Sequence, residues 1–221
     1  MTKKREIWKK IAMVLLIVLS VLIIMLIISD FDLTKIWRKL QGEGTIFVYH
    51  NITFRKIFVG KHPLYETDLL IYRSALNDTV YWKLRLENDP RKLERIPANI
   101  TSKLERKVYV SFTKEIMKCE AMMLTSYRFG EFLAAVGCER EAAAANGELA
   151  EELAKQNKTY KVKNCDNIEE GASVILLKES STNYSNIYQQ DRCYILEIAN
   201  CEHVAVSERF FLALIDLMRK F

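Results

Sequence analysis

The sequence predicts an α+β protein: an N-terminal transmembrane helix followed by one mixed-sheet domain with helices packed on one face. Three observations lead to this prediction. An uncharged apolar run lies near the amino terminus, several later segments are rich in β-branched and aromatic residues, and long helix-prone segments follow them. The predicted parts are a basic N-terminus at 1–10, a transmembrane helix at 11–29, a juxtamembrane linker at 30–44 and an extracytoplasmic domain at 45–221.

The transmembrane helix is predicted from the apolar run at 11–29, which carries no charge and is nearly all Leu, Ile, Val or Met. At about 1.5 Å per residue, a helix of this length covers the roughly 30 Å hydrocarbon core of a bilayer. A cleaved signal peptide is the alternative, but its apolar region spans only about 7 to 15 residues and ends in small residues. The run here ends in "IISDFD", so an uncleaved anchor in the lipid bilayer is favoured.

The distribution of charge predicts the orientation of this anchor. "MTKKREIWKK" holds five Lys or Arg against one Glu, and such a flank stays in the cytoplasm. Residues 1–40 contain eight basic and three acidic residues, which account for the whole net charge of +5, and residues 41–221 carry 25 of each sign. We therefore expect residues 45–221 outside the cytoplasm, and a neutral domain that does not bind nucleic acid.

Glycosylation sequons support the same location. Chance would place Ser or Thr two positions after an Asn about once, given eleven Asn and 22 Ser plus Thr. Five such sequons occur, all beyond residue 29 and none with an intervening Pro. The candidate glycosylation sites are Asn51, Asn77, Asn99, Asn157 and Asn183.

Strands dominate the first half of the outer domain. "TIFVYHNITF", "KIFVG" and "RKVYVSF" are rich in β-branched and aromatic residues, as strands are. "TDLLIYRSALNDTVYWKLRL" predicts a hairpin that turns near Asn77 and Asp78, both good turn formers. We expect these strands to belong to one sheet.

Helices and strands both follow in the second half. "TKEIMKCEAMMLTSYRFGEFLAAVG" predicts a helix of more than twenty residues. "EREAAAANGELAEELAKQ" predicts a second helix, in which Gly147 is a candidate break. "ASVILLK" and "RCYILEI" predict strands, and a closing helix begins near His203. Its charged residues share one arc opposite a broad apolar face that we expect to pack on the sheet. The arc comprises Glu208, Arg209, Asp216, Arg219 and Lys220.

"ENDPRKLERIP" has the spelling of a short capped helix. Asp89 is suited to the N-cap, Pro90 to the first helical position and Pro97 to a stop. In the alternative interpretation, Arg91 and Arg95 lie one turn apart and bind a carboxylate or phosphate. The structural interpretation is favoured because it explains the spelling without a ligand.

The same stretch also resembles part of a known group of proteins. "LENDPRKLERIP" after a hairpin, together with "NCDN", "RCYILEIANCE" and "SERFFLALI", resembles single-span surface proteins of unknown function found in archaeal genomes. The resemblance covers most of residues 45–221 and brings no activity, substrate or catalytic residue. It implies only a location at the cell surface.

The five cysteines are expected to form disulfides, because thiols outside the cytoplasm tend to be oxidised. Cys165, Cys193, Cys201 and His203 are a candidate zinc set, but they lack the close pairs typical of zinc sites. Cys165 and Cys193 precede two strands, so we pair them if those strands run side by side. Cys119 and Cys138 are too far apart on one straight helix, so we pair Cys119, expected inside that helix, with Cys201. Cys138 is the free thiol.

Function is the least determined property. The sequence lacks the familiar catalytic motifs, and we expect no catalytic residue, no cofactor and no metal. The first hypothesis is a membrane-anchored binding or scaffolding module of the cell envelope with a protein or envelope partner. The second is an extracytoplasmic enzyme, for which Asp89 or Glu208 would supply acid/base groups, whereas His50 and His62 have no evident partner. The third is an accessory subunit of a membrane complex, although only Ser20 interrupts the apolar run.

Overall fold

The computed structural model describes residues 13–21, 33–73, 76–120 and 122–219. The chain divides into two compact units, Met1–Gly44 and Thr45–Phe221. In the first unit, residues 13–21 are helical with exposed side chains, and a helix α1 spans Leu33–Leu40. No helix in the described ranges is both long and apolar enough to span a membrane. The basic segment 1–10 and the remainder of the predicted span at 11–29 lie outside those ranges.

The second unit has an α+β fold that begins with a four-stranded antiparallel sheet. Its strands are consecutive: β1 (Ile46–Tyr49), β2 (Ile52–Val59), β3 (His62–Arg73) and β4 (Asp78–Leu86). Two-residue turns join the first three, with φ of 47° at His50 and 60° at Asn51, and 63° at Gly60. The predicted hairpin at Asn77 and Asp78 is confirmed. "TIFVYHNITF" is divided by the turn at His50 and Asn51, and "NITF" and "KIFVG" contribute to one strand.

A second, seven-stranded sheet corrects the prediction of one mixed sheet. Its order is β5-β10-β11-β9-β6-β7-β8, and only β10 and β11 pair in antiparallel fashion. The strands are β5 (Ala98–Asn99), β6 (Lys107–Phe112), β7 (Glu139–Ala144), β8 (Lys161–Val162), β9 (Ala172–Glu179), β10 (Asn186–Gln190) and β11 (Cys193–Ile198). The hairpins along residues 46–86 pair with one another, so they form a sheet of their own.

The helices of the second unit are shorter than the sequence predicts. They are α2 (Pro90–Leu93), α3 (Met122–Ala135), α4 (Gly147–Ala154) and α5 (His203–Met218), with a 3-10 turn at Ile116–Lys118. The prediction of one helix from Thr113 to Gly137 is wrong, because the backbone at Cys119 is extended where that residue bonds to Cys201. Asn146 caps α4 by accepting from Leu149 N at 2.9 Å, so a new helix starts at Gly147.

The alanine-rich segment "EREAAA" is a strand, although the sequence predicts helix. It pairs in parallel with β6 along Lys107–Phe112, and Ala144 is fully buried against Leu149 and Leu153 of α4. Helix propensities differ by only fractions of a kcal/mol per residue, about 0.7 kcal/mol at most for ordinary residues, so a ladder of backbone hydrogen bonds and burial outweigh them. Small side chains are favourable here because they let α4 lie close to the sheet.

The main core joins both sheets with α2, α3 and α5. Phe54 and Leu86 of the four-stranded sheet, Phe132 of α3, Phe210 of α5 and Leu196 of the seven-stranded sheet belong to one buried cluster. Helix α5 runs through this core, so part of its charged arc is buried: Glu208 is fully buried and Arg209 donates to Ile96 O at 3.1 Å, whereas Arg219 is exposed. The opposite face of the seven-stranded sheet carries a smaller cluster. It comprises Tyr109, Ala143, Ala172, Val174, Cys193 and Ile195, with Cys165 and Ile168 packed against them.

Candidate binding cleft

A split in the four-stranded sheet opens a large cleft in the second unit. Strand β2 pairs with β3 only between Arg55↔Glu66 and Val59↔His62, whereas β3 pairs with β4 as far as Arg73↔Asp78. The two strands therefore diverge beyond the Arg55 and Glu66 pair. The cleft that results has a volume of about 1080 Å³. This volume is slightly larger than the range of about 300 to 1,000 Å³ typical of ligand sites.

The floor of this cleft is apolar and its walls are strands. Where the sheet divides, the ends of α3 and α5 lie beneath it. Phe132, Leu214 and Ile215 are at most 3% exposed, whereas Val136 and Met218 are half-buried. The floor residues are Phe132, Val136, Leu214, Ile215 and Met218. Thr53 of β2 lines one wall, and Asp68, Leu70 and Tyr72 of β3 line the other. Leu70 is 75% exposed and Tyr72 63%, so large apolar side chains stand at the open rim.

The wall formed by β3 carries backbone groups without strand partners. Lys56 donates its backbone N–H to Thr45 O at 2.9 Å. The backbone N–H and C=O groups of the even-numbered residues of β2 therefore point toward β1, and those of the odd-numbered residues point toward β3. Arg55 and Glu66 therefore face each other, and even-numbered positions of β3 point toward β2. Asp68, Leu70 and Tyr72 keep this direction after β2 has diverged. No described residue forms a hydrogen bond with their backbone N–H or C=O groups.

An ion-pair cluster closes the apex of the cleft. Glu66 is 6% exposed and is held by Arg55 on one side and by Arg85, at 3.4 Å, on the other. The hydrogen bond from Arg55 lowers the pKa of Glu66. Next to it Asp68 lies 3.7 Å from Lys83. Glu66 is consequently ionised at neutral pH, which makes it a poor proton donor.

At the open end of the cleft, Arg219 presents a positive charge. Its guanidinium donates to His50 O at 3.0 Å and to Asn51 O at 3.2 Å, and both acceptors are neutral carbonyls. In the described part of the chain no carboxylate lies within ion-pair distance of Arg219. Asn51, a sequon residue, also lines the cleft here.

The free thiol predicted at Cys138 lines the cleft as well. Its Sγ lies 3.5 Å from Glu105 O. Burial raises the pKa of Cys138 to about 11, so the side chain is a protonated thiol at neutral pH. A nucleophilic cysteine needs a depressed pKa, which this environment does not supply.

His50 has partners that the sequence does not reveal. Its Nδ1 lies 2.5 Å from Asp216 Oδ2 and its Nε2 lies 3.0 Å from Glu94 Oε1, and the ring stacks on Tyr49 with centroids 4.2 Å apart. Burial raises the pKa of the Tyr49 hydroxyl to about 12. Both imidazole nitrogens are engaged, so His50 links the first turn of the sheet to α5 and to the end of α2. His62 lies exposed at the start of β3.

Two disulfides hold the second unit together. Cys119 bonds to Cys201 with Cα atoms 5.6 Å apart, and Cys165 to Cys193 with Cα atoms 5.3 Å apart. These are the predicted pairings, although Cys119 lies after a 3-10 turn rather than inside a helix. Cys193 starts β11, which runs beside β9, and β10 lies between those strands in sequence. The disulfides indicate an oxidising, extracytoplasmic location.

The candidate zinc set is not assembled. Its three cysteines are all oxidised in these disulfides. His203 is 2% exposed. Among the described residues, no group of three or more His, Cys, Asp or Glu is placed to hold a metal ion.

The "NDPRKL" stretch forms the predicted capped turn. Asp89 accepts from Arg91 N at 3.0 Å, and Pro90 opens α2. Arg91 also donates through its side chain to Asp89, which lowers the pKa of that carboxyl, and it lies 4.1 Å above the Phe47 ring. Arg95 instead pairs with Glu202. The two arginines thus pair with different carboxylates of the chain and do not converge on one site. This geometry favours the structural interpretation over anion binding.

The second acid/base candidate, Glu208, is fully buried. Its oxygens accept from Glu87 N at 2.6 Å, Asn88 N at 3.1 Å, Asn88 Nδ2 at 2.9 Å and Arg128 Nη1 at 3.0 Å. Burial raises the pKa of Glu208 to about 7. The hydrogen-bond donors act in the opposite direction and lower it, but their effect is smaller. Glu208 does not line the cleft, and its hydrogen bonds connect α5 to α3 and to the loop after β4.

All five sequon asparagines are exposed. Asn51, Asn77 and Asn157 occupy turns with positive φ, as asparagine tolerates better than most residues. Asn99 lies in the short edge strand β5, and Asn183 lies in the loop before β10. Every sequon is therefore accessible on the surface.

No protein-family model, curated protein or solved structure matches this chain.

Proposed function

We propose that this protein is a single-pass membrane protein whose outer domain, residues 45–221, binds a ligand in the cleft between β2 and β3. The N-terminus lies in the cytoplasm and residues 11–29 anchor the chain. The two disulfides, the exposed sequons and the charge of the N-terminal flank support this arrangement.

The cleft is the single observation that carries the binding function. It combines an apolar floor with a few polar groups at its edges, which is the usual composition of a binding site. The rim side chains Leu70 and Tyr72 are 75% and 63% exposed, and burial of apolar surface yields about 25 cal/mol per Å². A ligand that covers this rim therefore gains free energy.

Binding is favoured over catalysis by the state of the titratable groups in the cleft. Glu66 is ionised and paired with two arginines, Asp68 lies beside Lys83, and Cys138 is a protonated thiol. General acid/base catalysis requires a group whose pKa is poised near the working pH. The described lining contains no histidine, and the pKa of Glu66 is lowered, away from neutral pH.

The reactivity of Cys138 tests this function directly. It is the one free cysteine of the chain, so N-ethylmaleimide labels a single position that lies inside the cleft. We expect labelling on intact cells or spheroplasts to be several-fold slower than on the purified full chain in detergent. A Cys138→Ser, Tyr127→Cys variant is the matched control, because Tyr127 is 62% exposed and lies outside the cleft.

Two further observations decide the outcome. The Leu70→Asp change places a charge at the apolar rim and should abolish the protection of Cys138 in cells. Equal labelling rates in cells and in detergent, with the control also unchanged, would mean that the cleft is empty in its native setting and would contradict the proposed function.

A further inference from the structure

We propose that the ligand is an extended peptide segment of another protein, which adds as a strand to the open edge of β3 at Asp68–Tyr72. This inference rests on the proposed function and specifies its ligand class. Strand addition is a recurrent mode of peptide recognition in which backbone hydrogen bonds contribute affinity and alternate side chains contribute specificity.

The edge of β3 has backbone hydrogen-bonding groups that a peptide strand could use. Asp68, Leu70 and Tyr72 each present one N–H and one C=O toward the cleft, and none of these groups is paired within the described chain. Their spacing is that of an antiparallel or parallel ladder, because β3 remains regular here through its pairing with β4. A second extended backbone is the one ligand class whose donors and acceptors repeat with this spacing.

Strands bound the site on both sides, which favours a single peptide as the occupant. Strand β2 forms the facing wall, and Thr53 also directs its backbone groups into the gap. If a second copy of this protein inserted its own β3, the β4 strand paired with that β3 would have to enter the cleft as well. A single peptide has no such attached strand, so it fits between the walls where the edge of another sheet does not.

The lining of the cleft favours particular side chains on the peptide. Side chains of an extended segment alternate between two faces, so every second one faces the floor formed by α3 and α5. That floor is apolar, which favours aliphatic or aromatic side chains at those positions. Among the described residues Arg219 donates to the neutral carbonyls of His50 and Asn51, and an acidic side chain or a terminal carboxylate of the peptide complements its positive charge.

A proline at position 70 tests the strand addition without disrupting β3. The N–H of Leu70 points into the cleft and takes no part in the pairing with β4, so Leu70→Pro removes one donor of the open edge and keeps that pairing. Leu70→Ala is the matched control, since it removes the same side chain and keeps the N–H. Both variants are prepared as the full chain in detergent.

The probe is a phage-displayed library of random heptapeptides selected on the wild-type full chain. We expect enrichment of peptides with alternating apolar positions, whose synthetic forms bind the wild type and Leu70→Ala and protect Cys138 from N-ethylmaleimide. Leu70→Pro should bind them about tenfold more weakly or worse, because it loses one backbone hydrogen bond and places a ring in the path of the incoming strand.

Modified peptides provide a second measurement that does not depend on the folding of a variant. N-methylation at every second residue should abolish binding in one register, whereas the same modification shifted by one residue should preserve it. Equal effects of both modifications, equal binding of Leu70→Pro and Leu70→Ala, or no enrichment of cleft-binding peptides would overturn the proposal.

Other occupants give distinct results. Dimerisation of the full chain in sedimentation experiments, if Leu70→Pro abolishes it, would show that a second copy occupies the edge and would overturn the peptide assignment. Protection of Cys138 in cells that is insensitive to Leu70→Pro would overturn strand addition and leave the binding function in place. The absence of any protection in cells would contradict both.

Discussion

Arg128 donates from Nη1 to Oε1 of Glu208 at 3.0 Å, and this contact joins α3 to the fully buried carboxylate of α5. Nη1 also donates to Arg85 O at 2.9 Å, and Nη2 donates to Glu87 at 2.8 Å. One guanidinium and one carboxylate thus connect two helices with the end of β4. Four donors converge on the two oxygens of Glu208, so this residue is expected to matter for stability.

The Glu208→Gln change should lower the free energy of unfolding by about 1 to 3 kcal/mol, because an amide nitrogen would face a backbone N–H and leave it unsatisfied. Urea denaturation of the purified protein measures this loss. Glu131→Gln is the control: Glu131 is exposed and accepts a hydrogen bond only from Tyr127 among the described contacts, so its effect should stay within about 0.5 kcal/mol. A similar loss in both variants would contradict the role of the buried network.

The cap of α2 can be separated from the ion pair beside it. Asp89→Ala removes both the hydrogen bond to Arg91 N and the pair with the Arg91 side chain, and it should cost about 0.5 to 2 kcal/mol of unfolding free energy. Asp89→Asn retains a good capping side chain, so it should restore most of that loss. If Asn proves as destabilising as Ala in urea denaturation, the ion pair rather than the cap stabilises the turn.

Stability should fall in acid in a way that depends on Glu169. The hydrogen bond from Lys163, together with those from Tyr109 and Lys107, lowers the pKa of Glu169 from 4.5 to about 2. A carboxylate with a lowered pKa stabilises the folded state above its unfolded pKa, and this contribution disappears as the pH falls toward 2. The urea midpoints of the wild type and Glu169→Gln should therefore differ at pH 6 and converge between about pH 4.5 and 2. A difference that stays constant over this interval would exclude the ionised carboxylate as its source.

The two disulfides should contribute unequally. Cys119 and Cys201 are 82 residues apart, whereas Cys165 and Cys193 are 28 apart. The chain-entropy relation predicts losses of about 4.5 kcal/mol for the first pair and about 3.5 kcal/mol for the second when both cysteines become Ser. Cys138→Ser is the control, because that thiol closes no loop. Denaturant unfolding of the two double variants measures which of them loses more unfolding free energy. A larger loss for the shorter loop would show that contacts other than loop closure determine the difference.

Topology is testable by protease protection. Protease added to spheroplasts should digest residues 45–221 and leave an epitope tag before Met1 intact, because the basic flank is retained in the cytoplasm. Permeabilised spheroplasts are the control in which the tag is also lost. Digestion of the tag with protection of the domain would reverse the proposed orientation.

Local chemistry was sufficient for several features of this protein. Asp89 followed by Pro90 predicts a capped turn, because both residue types favour that position for reasons confined to a few neighbouring atoms. The turn at Asn77 and Asp78 is likewise determined by backbone preferences of those residues. The disulfide pairing followed from an oxidising location and from the limited reach of a disulfide, although the helix on which Cys119 was placed does not extend to it.

Only the tertiary structure decided the features that depend on distant neighbours. The segment Glu139–Ala144 is a strand because β6 lies beside it, and His50 finds Asp216 across 166 residues of chain. The cleft is of the same kind: nothing in the spelling of β2 or β3 indicates that they part after Arg55 and Glu66. Propensity and capping act within a few residues, whereas strand pairing and the covering of helix ends are set by which segments meet in the folded chain, and that information is spread over the whole domain.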